Sequence, residues 1–262
     1  MHGTVIIAVG DELLGGFVLD TNSHWLAQQV RDAGFGALHI EVVGDQVDAI
    51  VAAIHRAASN PRADRVLVCG GIGPTTDDRT LEAVAAALDR RLEVNEDALA
   101  HIEGILRRMA DAGWVTSSEV SDANRRMTNV PSDPAAVLFN RRGMAPGLVY
   151  ALPSAPGGDG ERWLAVLPGV PRELKALTVE ELIPAYFRGG VATHVVEVRY
   201  RFAVEAEFFE PMRTLEREYP DVSVGSYPQT ETRELVIRLR GADGERVAAA
   251  AAMLREMRPA AE

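Results

Sequence analysis

The sequence predicts an α/β protein: a parallel sheet with helices on its faces, followed by a small α+β module. Three observations carry this. Short β-branched runs alternate with amphipathic stretches over residues 4–88. Three of those runs end in loops rich in glycine and aspartate. Beyond residue 190 the pattern changes to in–out alternation.

Residues 4–10 (TVIIAVG) are rich in β-branched side chains, as expected of a strand buried on both faces. A helix starts at Thr21, carries Leu26, Val30 and Ala33 on one face, and stops at Gly34. Residues 37–44 (ALHIEVVG) read as the next strand. Ile50, Ala53, Ile54 and Ala57 mark a second helix, closed by Asn60-Pro61. Residues 64–70 (DRVLVCG) form a third strand, and Leu81, Val84, Ala85 and Leu88 a third helix. This β-α-β-α-β-α succession implies a parallel sheet. A helix at 96–111 follows, then an irregular stretch with some helical character at 114–135. Strands are expected at 136–140, 147–152 and 162–167, with a flexible turn at 154–160 and a helix from Pro171 to about Tyr186.

Arg188-Gly189-Gly190 is the boundary, giving domains 1–189 and 190–262. In the second, Val196, Val198, Tyr200 and Phe202 alternate with Glu197, Arg199 and Arg201 in a half-exposed strand. A helix at about 205–218, strands at 222–227 and across Leu235–Leu239, and a helix through Val247 and Leu254 complete a β-α-β-β-α order.

Composition narrows the function classes. The chain has 262 residues, is 47% hydrophobic and 25% charged, and carries a net charge of −11, which disfavours non-specific nucleic-acid binding. Its one cysteine, Cys69, excludes a disulfide framework and a cysteine zinc site. The start has no basic segment before its short apolar run, so no signal peptide is expected. No apolar run approaches the roughly 20 residues that cross a bilayer. A cytoplasmic protein is expected.

Two familiar motifs fail. Gly10-Asp-Glu-Leu-Leu-Gly15 has P-loop spacing, but Gly16 stands where the lysine belongs. Gly71-Ile-Gly73-Pro-Thr-Thr76 lacks the third glycine of a dinucleotide fingerprint and follows the third strand. The histidines show no ligand spacing, and no GxSxG elbow is present.

What remains is a set of strand-end loops. Ligands of open α/β sheets sit outside the carboxyl ends of the strands. The first strand ends in Gly10-Asp11-Glu12, the second in Gly44-Asp45, and the third in residues 70–78, GGIGPTTDD. In the third loop Gly70, Gly71 and Gly73 free the backbone to present N–H groups, and Thr75 and Thr76 add hydroxyls: a phosphate cradle. Acids beside a phosphate repel it unless a divalent cation offsets them. Each loop alone also has a plain structural reading. Asp77 or Asp78 can cap the next helix, the glycines can make a tight turn, and Thr21 and Asn22 in DTNSHW need only serve a helix start. The joint occurrence at three successive strand ends favours a site.

The segments VGDELLGGFVLDTNSHWLAQQV, VVGDQVDAI, CGGIGPTTDDRT, APG and LPGVPREL resemble the molybdopterin-binding-like domain of CinA-type (competence/damage-inducible) proteins. The C-terminal module, with EREYPDVSVGSYPQ, resembles the KH-like domain that follows it there and the corresponding region of eukaryotic FAD synthases. The resemblance implies a three-layer α/β/α, mostly parallel fold of MoaB/Mog type. It implies metal-dependent ADP-ribose or FAD pyrophosphatase chemistry, with a homo-oligomeric assembly. It matches Asp45 and Asp78 to the family's pair of aspartates, and together with the converging loops this gives the expected site residues. Asp45 and Asp78 would be catalytic and, with Glu12, would hold a divalent metal (Mg, Mn, Co or Ni). Gly10, Glu12, Asn22, Gly70, Gly71, Gly73, Pro74, Thr75, Thr76 and Asp77 would bind substrate or phosphate, as would Pro146, Gly147, Pro168 and Gly169.

Departures are visible. Met144 stands where the family usually has threonine in GTAPG, and 123–131 (ANRRMTNVP) differs from the commoner pattern with Gln and Ala. Full-length CinA proteins carry a further C-terminal domain that deamidates nicotinamide mononucleotide; that activity is not expected of these residues. The KH-like module lacks a GxxG loop, so nucleic acid is not an expected partner. The leading expectation is a pyrophosphatase. The alternatives are a molybdenum-cofactor-type protein that binds pterin and transfers adenylyl groups, and a non-catalytic nucleotide binder, which Met144 favours.

Overall fold

The β-branched run that opens the chain is β1 (Gly3–Val9), buried along its whole length. The computed structural model describes residues 3–139, 142–154 and 160–258, in two units, Met1–Gly190 and Val191–Glu262.

In the first unit β1 is followed by α1 (Asp11–Leu14), α2 (Thr21–Asp32), β2 (Gly36–Val43), α3 (Val47–Ser59), β3 (Ala63–Cys69) and α4 (Thr80–Ala87). Then come β4 (Leu92–Val94), α5 (Glu96–Asp111), α6 (Asp122–Arg126), β5 (Asn129–Pro131), β6 (Ala136–Leu138), β7 (Gly147–Leu152) and β8 (Arg162–Leu167). The unit closes with α7 (Pro171–Leu177) and α8 (Ile183–Tyr186), joined by a π-helical turn over Thr178–Leu182.

The main sheet runs β2-β1-β3-β8-β7-β6. β2, β1, β3 and β8 are parallel; β7 and β6 are antiparallel additions at one side. Side chains of β1 alternate between two cores. Val5, Ile7 and Val9 pack with Ile50 and Ile54 of α3, Val84 of α4 and Ile102 of α5. Ile6 and Ala8 pack with Leu26 and Val30 of α2 and Leu174 and Leu177 of α7. Helices therefore cover both faces of the sheet in three layers, and the central strands are apolar throughout because neither face meets water.

Two arginines lock the amino-terminal edge of this sheet. Arg162, at the start of β8, is 6% exposed and donates to the carbonyls of Ala58, Asn60, Ala63 and Pro153. Arg65 donates to the carbonyls of Asp64, Glu161 and Tyr186, with its guanidinium 4.9 Å from the Phe35 ring centre. Burial holds the Arg65 pKa below its ordinary value, with the charges of Asp64 and Glu161 opposing that shift.

The structure differs from the sequence expectations in several places. α1 and the β4–β5 pair were not expected. In the stretch 114–135 the expected helical character is α6, and β5 is the addition. The helix expected from Pro171 to Tyr186 is interrupted by the π turn, where Ile183 N–H reaches back to the Thr178 carbonyl. Pro184, which has no N–H to give, follows at once. The strand expected at 136–140 ends at Leu138. Residues 155–159 of the expected turn lie outside the described residues.

The second unit has β9 (His194–Arg201), a 3₁₀ turn (Glu205–Phe208), α9 (Phe209–Glu218), β10 (Ser223–Gln229), β11 (Glu234–Gly241) and α10 (Gly244–Met257). Its antiparallel sheet runs β10-β11-β9 over a core of Val198, Tyr200, Leu215, Ile237 and Leu254. This is the α+β order read from the sequence, with a 3₁₀ turn at the head of the first helix.

Candidate functional site

The chain leaves β1 toward β2 on one side, while β3 lies on the other. The crevice at their carboxyl ends is the switch point where open α/β sheets bind ligands. A cleft of about 750 Å³ opens there.

Gly10 and Glu12 from the β1 end and Asp45 from the β2 end line the cleft. The loop after β3 supplies Gly70, Gly71, Gly73, Pro74, Asp77 and Asp78. The loop after β8 supplies Pro168 and Gly169, and α2 supplies Asn22. Thr75, Thr76, Pro146 and Gly147 are not among the lining residues. Pro146 and Gly147 are buried at the start of β7, and the wall there is formed by Met144 and Ala145.

The loop after β3 owes its path to glycine. Gly70 has φ +103°, and a Cβ there would meet the Val9 carbonyl oxygen at 2.3 Å. Gly71 follows with φ +65°. Thr80, buried at the start of α4, closes the loop: its hydroxyl donates to the Gly70 carbonyl at 2.8 Å and its amide to the Gly71 carbonyl at 2.9 Å. Among the described residues, no protein oxygen accepts from the amides of Gly71, Ile72 or Gly73. Successive amides in such a loop form an anion-binding concavity.

The aspartates are fixed by the loops they belong to. Asp78 Oδ2 accepts from the Thr75 amide at 2.8 Å and from the Thr75 hydroxyl at 2.6 Å. It does not cap α4, whose N-cap is Arg79 with no side-chain cap bond, so the plain capping reading fails for Asp78. The Thr75 side chain also lies against Asp77, whose pKa it holds below the ordinary value. Asp45 Oδ2 accepts from the Asp11 amide at 2.9 Å, and Asp11 Oδ1 accepts from the Asp45 amide at 3.3 Å. This exchange pins the ends of β1 and β2 together. Burial lifts the Asp45 carboxyl above its ordinary value; the Asp11 amide opposes this, while the charges of Asp11, Glu12 and Asp77 add to it.

Asn22 has a role its cap position did not announce. Asp20 caps α2 by accepting from the Ser23 amide, and Asn22 donates to the Gly169 carbonyl at 2.7 Å, tying α2 to the β8 loop. Asn22 Oδ1 is buried without a donor among the described residues. Gly169 lets the two loops meet, since its Cβ would lie 3.2 Å from Gly70 Cα.

Glu173, in the first turn of α7, also lines the cleft and was not singled out from the sequence. Burial raises its pKa, with Arg172 opposing. Its only sequence signal was an acid just inside a proline-started helix. Met127 and Met144 also line the cleft. Cys69 is no nucleophile: burial pushes its thiol up to about 12. Among the described residues no three carboxylate, imidazole or thiol groups gather as a metal site, so Asp45, Asp78 and Glu12 do not form a ready-made three-ligand cage.

Residues 5–188 match the model of the probable molybdopterin binding domain, and 194–262 match that of the FAD synthase middle domain. A protein of Pyrococcus horikoshii is 36% identical over 181 residues, covering 68% of this chain and 67% of that protein. A CinA-like protein of Gemmatimonas aurantiaca is 33% identical over 181 residues, 68% of this chain but only 38% of that protein. The crystal structure of the protein CinA from Thermoplasma acidophilum, of unknown function, superposes with a TM-score of 0.56 at 31% identity, covering 69% of this chain and 97% of that one. The CinA-type and FAD synthase resemblance read from the motifs is therefore borne out. Among the described residues no helix is long and apolar enough to cross a membrane.

Proposed function

Since this chain belongs to the family of the probable molybdopterin binding domain, we propose that its cleft binds the phosphate of a nucleotide or pterin ligand and hydrolyses a diphosphate bond there, releasing AMP from an ADP-ribose- or FAD-like substrate. The observation that carries this reading is the loop after β3, whose three consecutive amides at Gly71, Ile72 and Gly73 have no protein acceptor among the described residues, with the Asp78 carboxylate against Gly73.

The donor chemistry fits a hard divalent cation. Such ions take one or two carboxylates and complete their shell with substrate phosphate oxygens and water, which does not require three protein ligands. Asp45 and Asp78, with Glu12 in support, would hold Mg, Mn, Co or Ni. When bound, the ion supplies charge neutralisation on the diphosphate and a more acidic water. The chain does the rest. The Gly71–Gly73 amides meet the phosphate oxygens. Asp45 keeps Oδ2 on the Asp11 amide and offers Oδ1 to the attacking water. The water oxygen bonds to phosphorus as the bridging P–O bond breaks and the leaving phosphate departs with the bond electrons.

The test is turnover by the purified full chain with ADP-ribose or FAD and each metal, reading AMP by chromatography. Asp45→Asn and Asp78→Asn are expected to lower AMP formation by about 100-fold or more. AMP formed equally by both variants would remove these residues from the mechanism. Ligand bound without AMP would reduce the reading to binding. Self-association belongs to the same proposal. The exposed apolar run Leu14, Phe17, Val18 and Leu19 is a candidate contact, and light scattering on the purified chain checks it.

A further inference from the structure

The anion loop stands in acidic company. Among the described residues that line the cleft, Glu12, Asp20, Asp45, Asp77, Asp78 and Glu173 are acids, and none is lysine, arginine or histidine. The guanidinium that touches the loop comes from outside the lining. Arg126, on α6, donates from Nη2 to the Asp78 carbonyl at 3.3 Å. The same nitrogen lies 3.9 Å from Glu82 Oε1, in the first turn of α4. The other Glu82 oxygen accepts at 3.2 Å from Nε and Nη2 of Arg79, the residue that joins the loop to α4. Asp78 thus links the guanidinium to the amide-bearing stretch, with its carbonyl on Arg126 and its carboxylate against Gly73.

A surface ion pair is the plain account of Arg126 and Glu82, whose side chains are 41% and 40% exposed. Such pairs contribute little to stability. That account leaves out the Asp78 carbonyl, which is the nearer partner of Arg126. A positive charge set behind amides without acceptors raises their potential for a phosphate and opposes that of the acids in the cleft. A carboxylate resting on that charge lowers it again.

We propose that Arg126 is a positioning residue for the phosphate: held on the Asp78 carbonyl, its charge sets the potential of the Gly71–Gly73 amides, and Glu82 tempers it. This rests on the phosphate assignment made above. Arg126 acts through Asp78 and through its field, without touching the ligand. The sign of the Glu82 effect separates this role from a structural clasp. A clasp weakens when either member is removed. A field weakens when the arginine is removed and strengthens when the glutamate loses its charge.

Nuclear magnetic resonance of the full chain, labelled at backbone amides, tests it with AMP in magnesium buffer, reading affinity from the Gly71 and Gly73 signals. Arg126→Met is expected to weaken AMP binding by about 3- to 10-fold at low salt, and Arg126→Lys, which keeps the charge, by less than about 3-fold. Glu82→Gln is expected to tighten AMP binding by about 2- to 3-fold. These differences should shrink in about 1 M salt, where the Debye length falls to about 3 Å. A Glu82→Gln chain that binds AMP no more tightly than the parent, or a folded Arg126→Met chain with unchanged affinity, would overturn the role and leave the phosphate reading standing. If Arg126→Met fails to fold, as its amide spectrum would show, Glu82→Gln decides alone. No amide response to AMP in the parent chain would overturn the phosphate reading, and the role of Arg126 with it.

Discussion

The two ends of one sheet are built on opposite terms. At its amino-terminal edge Arg65 and Arg162 are buried, and between them seven hydrogen bonds run to backbone carbonyls. At its carboxyl edge three consecutive amides have no protein acceptor among the described residues, Asn22 Oδ1 has no donor, and burial with neighbouring acids raises Asp45. The same strands run through both ends. At the first end the two arginines meet backbone carbonyls from several segments, which favours stability, and Thr4 Oγ1 is the buried side-chain oxygen left there without a partner among the described residues. The other leaves donors unmet and carboxylates crowded, as expected where a ligand completes the structure.

The comparison breaks most visibly at Arg162. Arg162→Met strands the carbonyls of Ala58, Asn60, Ala63 and Pro153, and should cost roughly 3 kcal/mol of stability. Urea unfolding followed by tryptophan fluorescence reads this cleanly, since Trp25, Trp114 and Trp163 all lie in the first unit. The folded fraction should keep its affinity for AMP. Lost affinity in folded protein would show that the two ends are coupled.

Gly70→Ala is the counterpart at the other edge. It forces a side chain to φ +103° against the Val9 carbonyl, at a cost of about 2 kcal/mol. Here the loss of AMP affinity, read by calorimetry on folded protein, should exceed what the stability loss explains. Full affinity in the variant would mean that the loop's path does not set the site.

The smallest effect is the most specific. Asp45 binds its proton more tightly in the folded protein than in the unfolded chain, whose carboxyl titrates near 3.8. Its contribution to stability therefore falls as pH rises from that value through the raised folded pKa, and is lowest above both. Asp45→Asn should remove this pH dependence and stabilise the first unit at neutral pH by on the order of a few tenths of a kcal/mol, since solvent screens the site. Urea midpoints at pH 4 and pH 7 measure it. A destabilised variant at pH 7 would show that the exchange with Asp11 outweighs the repulsion.

The second unit handles charge differently again. Arg238 and Arg199 hold Glu197 below its ordinary pKa, and Arg246 does the same to Asp221. These two acids are paired by arginines of their own unit, whereas Asp45 has like charges for company.

The amino-acid order alone determined the layered sheet, because full burial of a parallel strand leaves an unbroken apolar run and a helix leaves a 3.6-residue stripe. It also located the loop after β3, since backbone at positive φ selects glycine and that selection is local. It did not reveal β4 and β5, three-residue strands too short to show a period, whose partners stand about 37 positions apart. Nor did it separate the two uses of aspartate. A helix cap and a loop clamp call for the same residue in the same polar setting, and only folded distances assigned Asp78 to Thr75, Asp45 to Asp11 and Asn22 to Gly169. Local backbone and burial rules are written residue by residue; the convergence of loops is a property of strand order, which long-range packing decides.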